Sequence, residues 1–150
     1  MTDTEIKSIS LFFFFAFLDD RKALQSSSEA YEFLQKKIDK NPDIKKEVAV
    51  VTVTQEIWSR HRKKWKRGEP YYSKDSGWLL PEGLEMSPWI EFQKSSLEED
   101  LLAVIWSKVL GINDEDISHS LGLSVGTLRY RVGRGLRQLG ALTPLKGKNV

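Results

Sequence analysis

The sequence predicts an all-α protein: two small helical domains joined by a linker. Three observations carry this. Apolar residues recur at helical spacing through most of the 150 residues. A stretch at 68–88, holding Pro70, Gly77, Pro81, Gly83 and Pro88, divides the chain. The segment 113–139 reads as two short helices joined by a glycine turn. The boundaries follow: an N-terminal domain over 1–67, the linker over 68–88, a C-terminal domain over 89–142 and a tail over 143–150.

In the first domain, Thr2-x-x-Glu5 is a capping box for a helix through about Leu24. The run Leu11-Phe12-Phe13-Phe14-Phe15-Ala16-Phe17-Leu18 makes that helix apolar nearly all round, so it is either central in a bundle or covered by a partner. Ser26-Ser27-Ser28 breaks the pattern, and Ser26-x-x-Glu29 offers a second box, followed by Tyr31, Leu34 and Ile38 on one face. Asn41-Pro42-Asp43 ends that helix. Over 43–67, Ile44, Val48, Val51, Trp58 and Trp65 keep near-helical spacing. The VAVVTVT stretch within it favours strand, but the helical period outlasts a strand and no hairpin partner follows. This third helix ends in Arg60, Arg62, Lys63, Lys64, Lys66 and Arg67, interleaved with His61 and Trp65. Two readings stand for these residues: a nucleic-acid strand surface of cations and aromatics, or cations set against the helix C-terminal dipole.

After the linker, Ser96-x-x-Glu99 marks another helix start, with Leu101, Leu102, Ile105, Trp106, Val109 and Leu110 ending at Gly111. Asn113 then caps a short helix through Leu121, Gly122 bends the chain, and Ser124 caps a second helix. In this last helix Leu128, Val132, Leu136 and Leu139 form an apolar stripe, with Arg129, Tyr130, Arg134 and Arg137 on other faces. Such a pair describes a helix-turn-helix, whose second helix enters the DNA major groove.

Charge is unevenly spread. Residues 59–75 carry seven basic and two acidic side chains, 76–116 two and nine, and 117–150 six and none. Two basic blocks around an acidic one suit polyanion contact at two surfaces. The absence of cysteine excludes disulfides and thiolate chemistry. The run 11–18 is shorter than the ~20 apolar residues a membrane span needs. Acidic Asp3 and Glu5 precede it, unlike a secretory leader, so a cytoplasmic protein with no membrane partner is expected. His61 and His119 sit in no metal-ligand spacing, and Gly133-Arg134-Gly135 lacks the ending of a phosphate loop. No catalytic constellation, metal site or cofactor motif emerges, and the chain is not expected to be an enzyme.

The residues Asp116-Ile117-Ser118, Leu121-Gly122, Ser124, Gly126-Thr127-Leu128-Arg129, Arg131-Val132, Arg134, Leu136 and Leu139 carry a resemblance. Segment 116–139 is similar to region four of bacterial RNA polymerase sigma factors, especially the extracytoplasmic-function group. It departs from that pattern at Ser118, Tyr130 and Gly135. The resemblance implies a region-four-type helix-turn-helix on double-stranded promoter DNA. Ser124, Val125, Gly126, Thr127, Arg129 and Tyr130 would lie at or near base edges, and Arg131, Arg134 and Arg137 on phosphates or the helix flank, with Arg131 turned partly inward. A shorter likeness to region two runs through Glu29-Ala30-Tyr31-Glu32-Phe33-Leu34-Gln35 and Glu56-Ile57-Trp58-Ser59-Arg60-His61-Arg62-Lys63-Lys64. It implies contact of Glu29, Glu32, Phe33 and Gln35 with core RNA polymerase. It also implies contact of Arg60, Arg62, Lys63, Lys64, Trp65, Lys66 and Arg67 with single-stranded promoter DNA. An anti-sigma or activator protein is a further partner of this kind of chain. The alternative is a helix-turn-helix transcriptional regulator whose N-terminal half dimerises or binds a partner.

Overall fold

A computed structural model describes residues 2–63, 70–71 and 85–142. All the regular structure among them is helical, and no helix is long and apolar enough to cross a membrane.

Helix α1 (Asp3–Phe17) starts where the sequence predicts. Thr2 and Glu5 form a reciprocal capping box. It ends earlier than expected, at Leu18, whose φ of 52° is left-handed and whose N–H bonds the Phe14 carbonyl at 2.8 Å. That conformation costs a non-glycine residue about 1–2 kcal/mol. Leu18 is fully buried, and burial of a leucine returns about 1.5–3 kcal/mol. Asp19 then caps α2 (Asp20–Lys40) by accepting from the Lys22 N–H at 3.0 Å. The expected break at Ser26–Ser28 is therefore absent. Ser26 and Ser27 lie buried inside α2 between Ala23 and Ala30, small side chains on a helix that packs on both α1 and α3.

Helix α3 (Lys46–His61) takes up the VAVVTVT stretch as helix. Thr52 and Thr54 return their hydroxyl protons to the carbonyls of Val48 and Val50, at 2.9 and 2.7 Å, a bond that helix geometry offers. Burial of Ala49, Val50, Val51, Val53, Thr54, Ile57 and Trp58 overrides the β-preference of the valines. It begins at Lys46 rather than Asp43, after a turn closed by the Ile44 N–H on the Asn41 carbonyl. Lys64, Trp65, Lys66 and Arg67 lie outside the described residues, as do most of the linker and the tail.

Helix α4 (Ser87–Ser95) opens with Pro88 in its first turn. The cap of α5 (Glu98–Val104) falls at Leu97, while Ser96 instead closes α4 through its N–H on the Phe92 carbonyl. A π-helical turn, Ile105–Val109, extends α5, and Gly111 at φ 68° ends it. Helices α6 (Asp114–Leu121) and α7 (Val125–Leu142) follow.

The helices before and after the linker, expected as separate domains, share one core. Phe12, Phe13 and Phe14 are fully buried. Phe12 stacks on Trp106 with centroids 5.5 Å apart, and the Trp106 indole donates to the Thr54 hydroxyl at 2.9 Å. Trp89 and Gln93 of α4 donate to the Phe15 and Ala16 carbonyls at 2.9 and 3.0 Å, satisfying acceptors that the end of α1 leaves open. Thus the phenylalanine run is the middle of the molecule.

Candidate nucleic-acid interface

Helices α6 and α7 follow one another across a turn at residues 122–124, and the cap and turn residues there have the local partners that the sequence predicts. The Asn113 side chain accepts from the Asp116 N–H at 2.8 Å. Gly122 takes φ 69°, which a Cβ-bearing residue adopts only at a cost. The Ser124 hydroxyl accepts from the Thr127 N–H at 3.0 Å, satisfying one open donor of α7. A hydrogen bond from Ser120 to the Val48 carbonyl (3.2 Å) and the Lys45–Asp116 ion pair (2.9 Å) seat α6 on α3.

The buried stripe of α7 is Leu128, Val132 and Gly135, with Leu139 half-buried. Leu136, expected in that stripe, is 38% exposed. The register explains the exchange. Positions 128, 132, 135 and 139 stay within a narrow arc at 100° per residue, and 136 leaves it. Gly135 is there because α7 crosses α5 closely: a Cβ on it would meet Val104 Cγ2 at 2.6 Å. The row opposite the stripe is Gly126, Tyr130, Gly133 and Arg137, of which Gly126, Tyr130 and Arg137 are exposed. Ser124, Thr127 and Arg129 are exposed on the flanks, and Val125 is half-buried.

The arginines divide. Arg129 donates from Nε to Asp114 Oδ2 at 2.9 Å, with Glu115 3.8 Å from its Nη2. Arg134 grips buried Asp100 with two bonds, at 2.7 and 2.9 Å, and reaches Glu99 at 2.9 Å. It also lies over the Tyr130 ring. Arg131 turns inward, to Glu99 at 3.3 Å. The bond to Asp114 holds Arg129 more firmly protonated than an ordinary arginine, and the bonds to Asp100 do the same for Arg134. Arg131 and Arg134, expected on phosphates or the helix flank, are thus tied to the first turn of α5, while Arg137 is exposed on the outer row. Glu98, Glu99 and Asp100 read in the sequence as charges favouring a helix start. Nothing local marked Asp100 as the partner of a residue 34 positions on.

The second group sits on α2 and the end of α3. Arg60 pairs with Glu29 at 3.0 Å and with Glu56 at 3.6 Å, and His61 Nε2 lies 2.7 Å from Glu29 Oε2. Burial pushes the Glu29 carboxyl up, but the bonds to His61 and Arg60 outweigh it and leave the carboxyl below its ordinary range. Arg62 pairs with Glu98 at 2.9 Å, beside the Trp58 indole on the same carboxylate. Phe33 is half-buried under the Lys37 and Arg60 cations. Glu29, Glu32 and Phe33 line one open groove with Lys36, Lys37, Lys40 and Arg60. Gln35 is exposed and bonded to Asp39, outside that lining, and Lys63 is exposed. The structure brings Glu29 and Phe33 against Arg60, residues that the sequence assigned to different partners.

No family model matches this chain, and neither a curated protein nor a solved structure does.

Proposed function

We propose that this chain is a sigma-like transcription initiation protein, which binds double-stranded promoter DNA through α7 and core RNA polymerase through its N-terminal half. The observation that carries the DNA-binding part is the capped α6–Gly122–α7 unit, with Ser124, Gly126, Thr127, Arg129, Tyr130 and Arg137 exposed on the second helix. A recognition helix needs that arrangement: a rigid entry, a core-facing stripe and polar or small residues outward. The polymerase part rests on the resemblance of residues 29–35 and 56–64 to region two.

Transcription in vitro with core polymerase, with start sites mapped with and without this chain, tests the whole reading. Chain-dependent starts are expected. No such starts, together with no capture of core polymerase, would sink the initiation role. DNA contact has its own check in salt dependence. Arg137→Ala should lower the slope of log affinity against log salt by about one. Arg134→Ala should lower the melting temperature instead and leave that slope nearly unchanged, because its charge is committed to Asp100.

One observation favours a second reading, a helix-turn-helix regulator with a partner-binding N-terminal half. Helix α6 packs on α3, and α1 on the π-helical turn, so the N-terminal half supports the DNA-binding unit directly. Duplex binding without any affinity for core polymerase would select this reading. In this reading the fully buried Phe12, Phe13 and Phe14 serve as core, and the partner surface lies elsewhere on the N-terminal half.

A further inference from the structure

We infer that Asp114 is a positioning residue for base recognition: it holds one edge of the Arg129 guanidinium so that the other edge is offered to a guanine. The inference rests on the DNA-binding reading above and adds the base and the device that selects it.

Arg129 stands one turn into α7 with its side chain 61% exposed. Among the described residues its short contact to an acid uses Nε, at 2.9 Å from Asp114 Oδ2, and Glu115 is 3.8 Å from Nη2. A guanidinium has five N–H donors in a fixed plane, so occupying Nε leaves the Nη1 and Nη2 protons as a fork. That fork matches the O6 and N7 acceptors of guanine in the major groove.

The anchor is firm. Asp114 is the first residue of α6, its own side chain is 28% exposed, and the preceding Asn113 caps the helix onto Asp116. The backbone that carries this carboxylate is therefore held by the Asn113 cap and by the packing of α6 on α7. Ordering a long side chain costs entropy on binding, and a bond made before binding removes part of that cost. Charge sets the target as well. Asp114 offsets the arginine's positive charge, which weakens its pull on any phosphate while leaving its donors for a neutral acceptor. Arg137, exposed on the outer row, offers a charge for phosphate; Arg129 offers geometry. Arg131 and Arg134 are excluded from this role by Glu99 and Asp100.

The opposite sign is the rival: Asp114 as a competitor that merely repels DNA. Duplexes selected by the wild-type chain from a randomised library separate the two. Each G·C pair of the selected site is replaced by A·T, and the preference lost in Arg129→Ala is identified. We expect that preference to be roughly tenfold, on the scale of one bidentate arginine–guanine contact. Asp114→Ala should abolish most of it. Asp114→Asn, whose side-chain oxygen still accepts from Nε, should retain most of it. Circular dichroism melts of each variant check the fold, and a discrimination ratio is insensitive to the fraction folded. An unchanged preference in Asp114→Ala overturns the inference, as does tighter binding to every duplex in both variants. A guanine preference that survives Arg129→Ala also overturns it while leaving DNA binding intact. A wild-type chain that selects no duplex overturns the DNA-binding reading itself.

Discussion

Gly135 shows how one residue answers to two opposing demands. In an isolated helix, alanine would be better by about 1 kcal/mol. Here an added Cβ meets Val104 Cγ2 at 2.6 Å and crowds the Asp100 carbonyl and Phe92 at 3.4 Å. Overpacking of that kind costs about 1–3 kcal/mol, so the packing term wins. Gly135→Ala should lower stability in chemical denaturation; a gain would mean that α7 can draw away from α5 freely. Glu29 answers to pH. Its carboxyl sits below its ordinary 4.5 because the His61 and Arg60 bonds outweigh burial. A lowered folded value means that its contribution is complete above the unfolded value and is lost as pH falls through the folded one. Acid unfolding of Glu29→Gln should accordingly show a shallower loss below about pH 4.5 than wild type. Identical acid limbs would show that the Arg60–His61 side of α3 does not depend on this carboxylate.

At the scale of the element, some helix ends were legible and others were moved by packing: α1 ends at Leu18 rather than Leu24, α3 starts at Lys46 rather than Asp43, and the cap of α5 is Leu97 rather than Ser96. Thr2, Asn113, Gly122 and Ser124 act as the sequence says they should, because capping is settled within one turn. Ser124→Ala removes the acceptor of the Thr127 N–H and should cost about 1 kcal/mol. Hydrogen exchange should then accelerate first at the N-terminus of α7; uniform acceleration along the helix would contradict a local cap. The serines of α2 are the counter-example. A triple serine reads as a break because serine competes for its own backbone. In α2 the place beside α1 and α3 needs small side chains, and burial there outweighs the propensity. The break moved to Leu18 and Asp19, where a buried leucine bears the left-handed turn and an aspartate caps the next helix.

The whole molecule is organised by aromatic contacts that cross the linker. Phe12 on Trp106, Phe15 on Trp89 and Phe17 on Trp58 join α1 to helices on both sides of it. Residue 71 is tied back as well: its N–H bonds the Leu18 carbonyl and its carbonyl accepts from Asp20, each at 2.9 Å. Two separate domains would melt independently, whereas a shared core couples them. Trp106→Ala should cost about 3–5 kcal/mol and lower one common transition. Two resolved transitions, with only the C-terminal one displaced, would refute that coupling.

Periodicity, caps and turn residues determined the helical class, the α6–turn–α7 unit and the outward place of Tyr130 and Arg137. These signals lie within a few residues of the structure they specify, so a chain read locally contains them. Only the tertiary structure decided which arginine meets an acid. Arg134 is 34 positions from Asp100 and the Trp58 indole 40 from Glu98, and no local spacing encodes either pair. It also decided that the two halves close over one set of phenylalanines, because an apolar helix specifies burial without specifying what buries it.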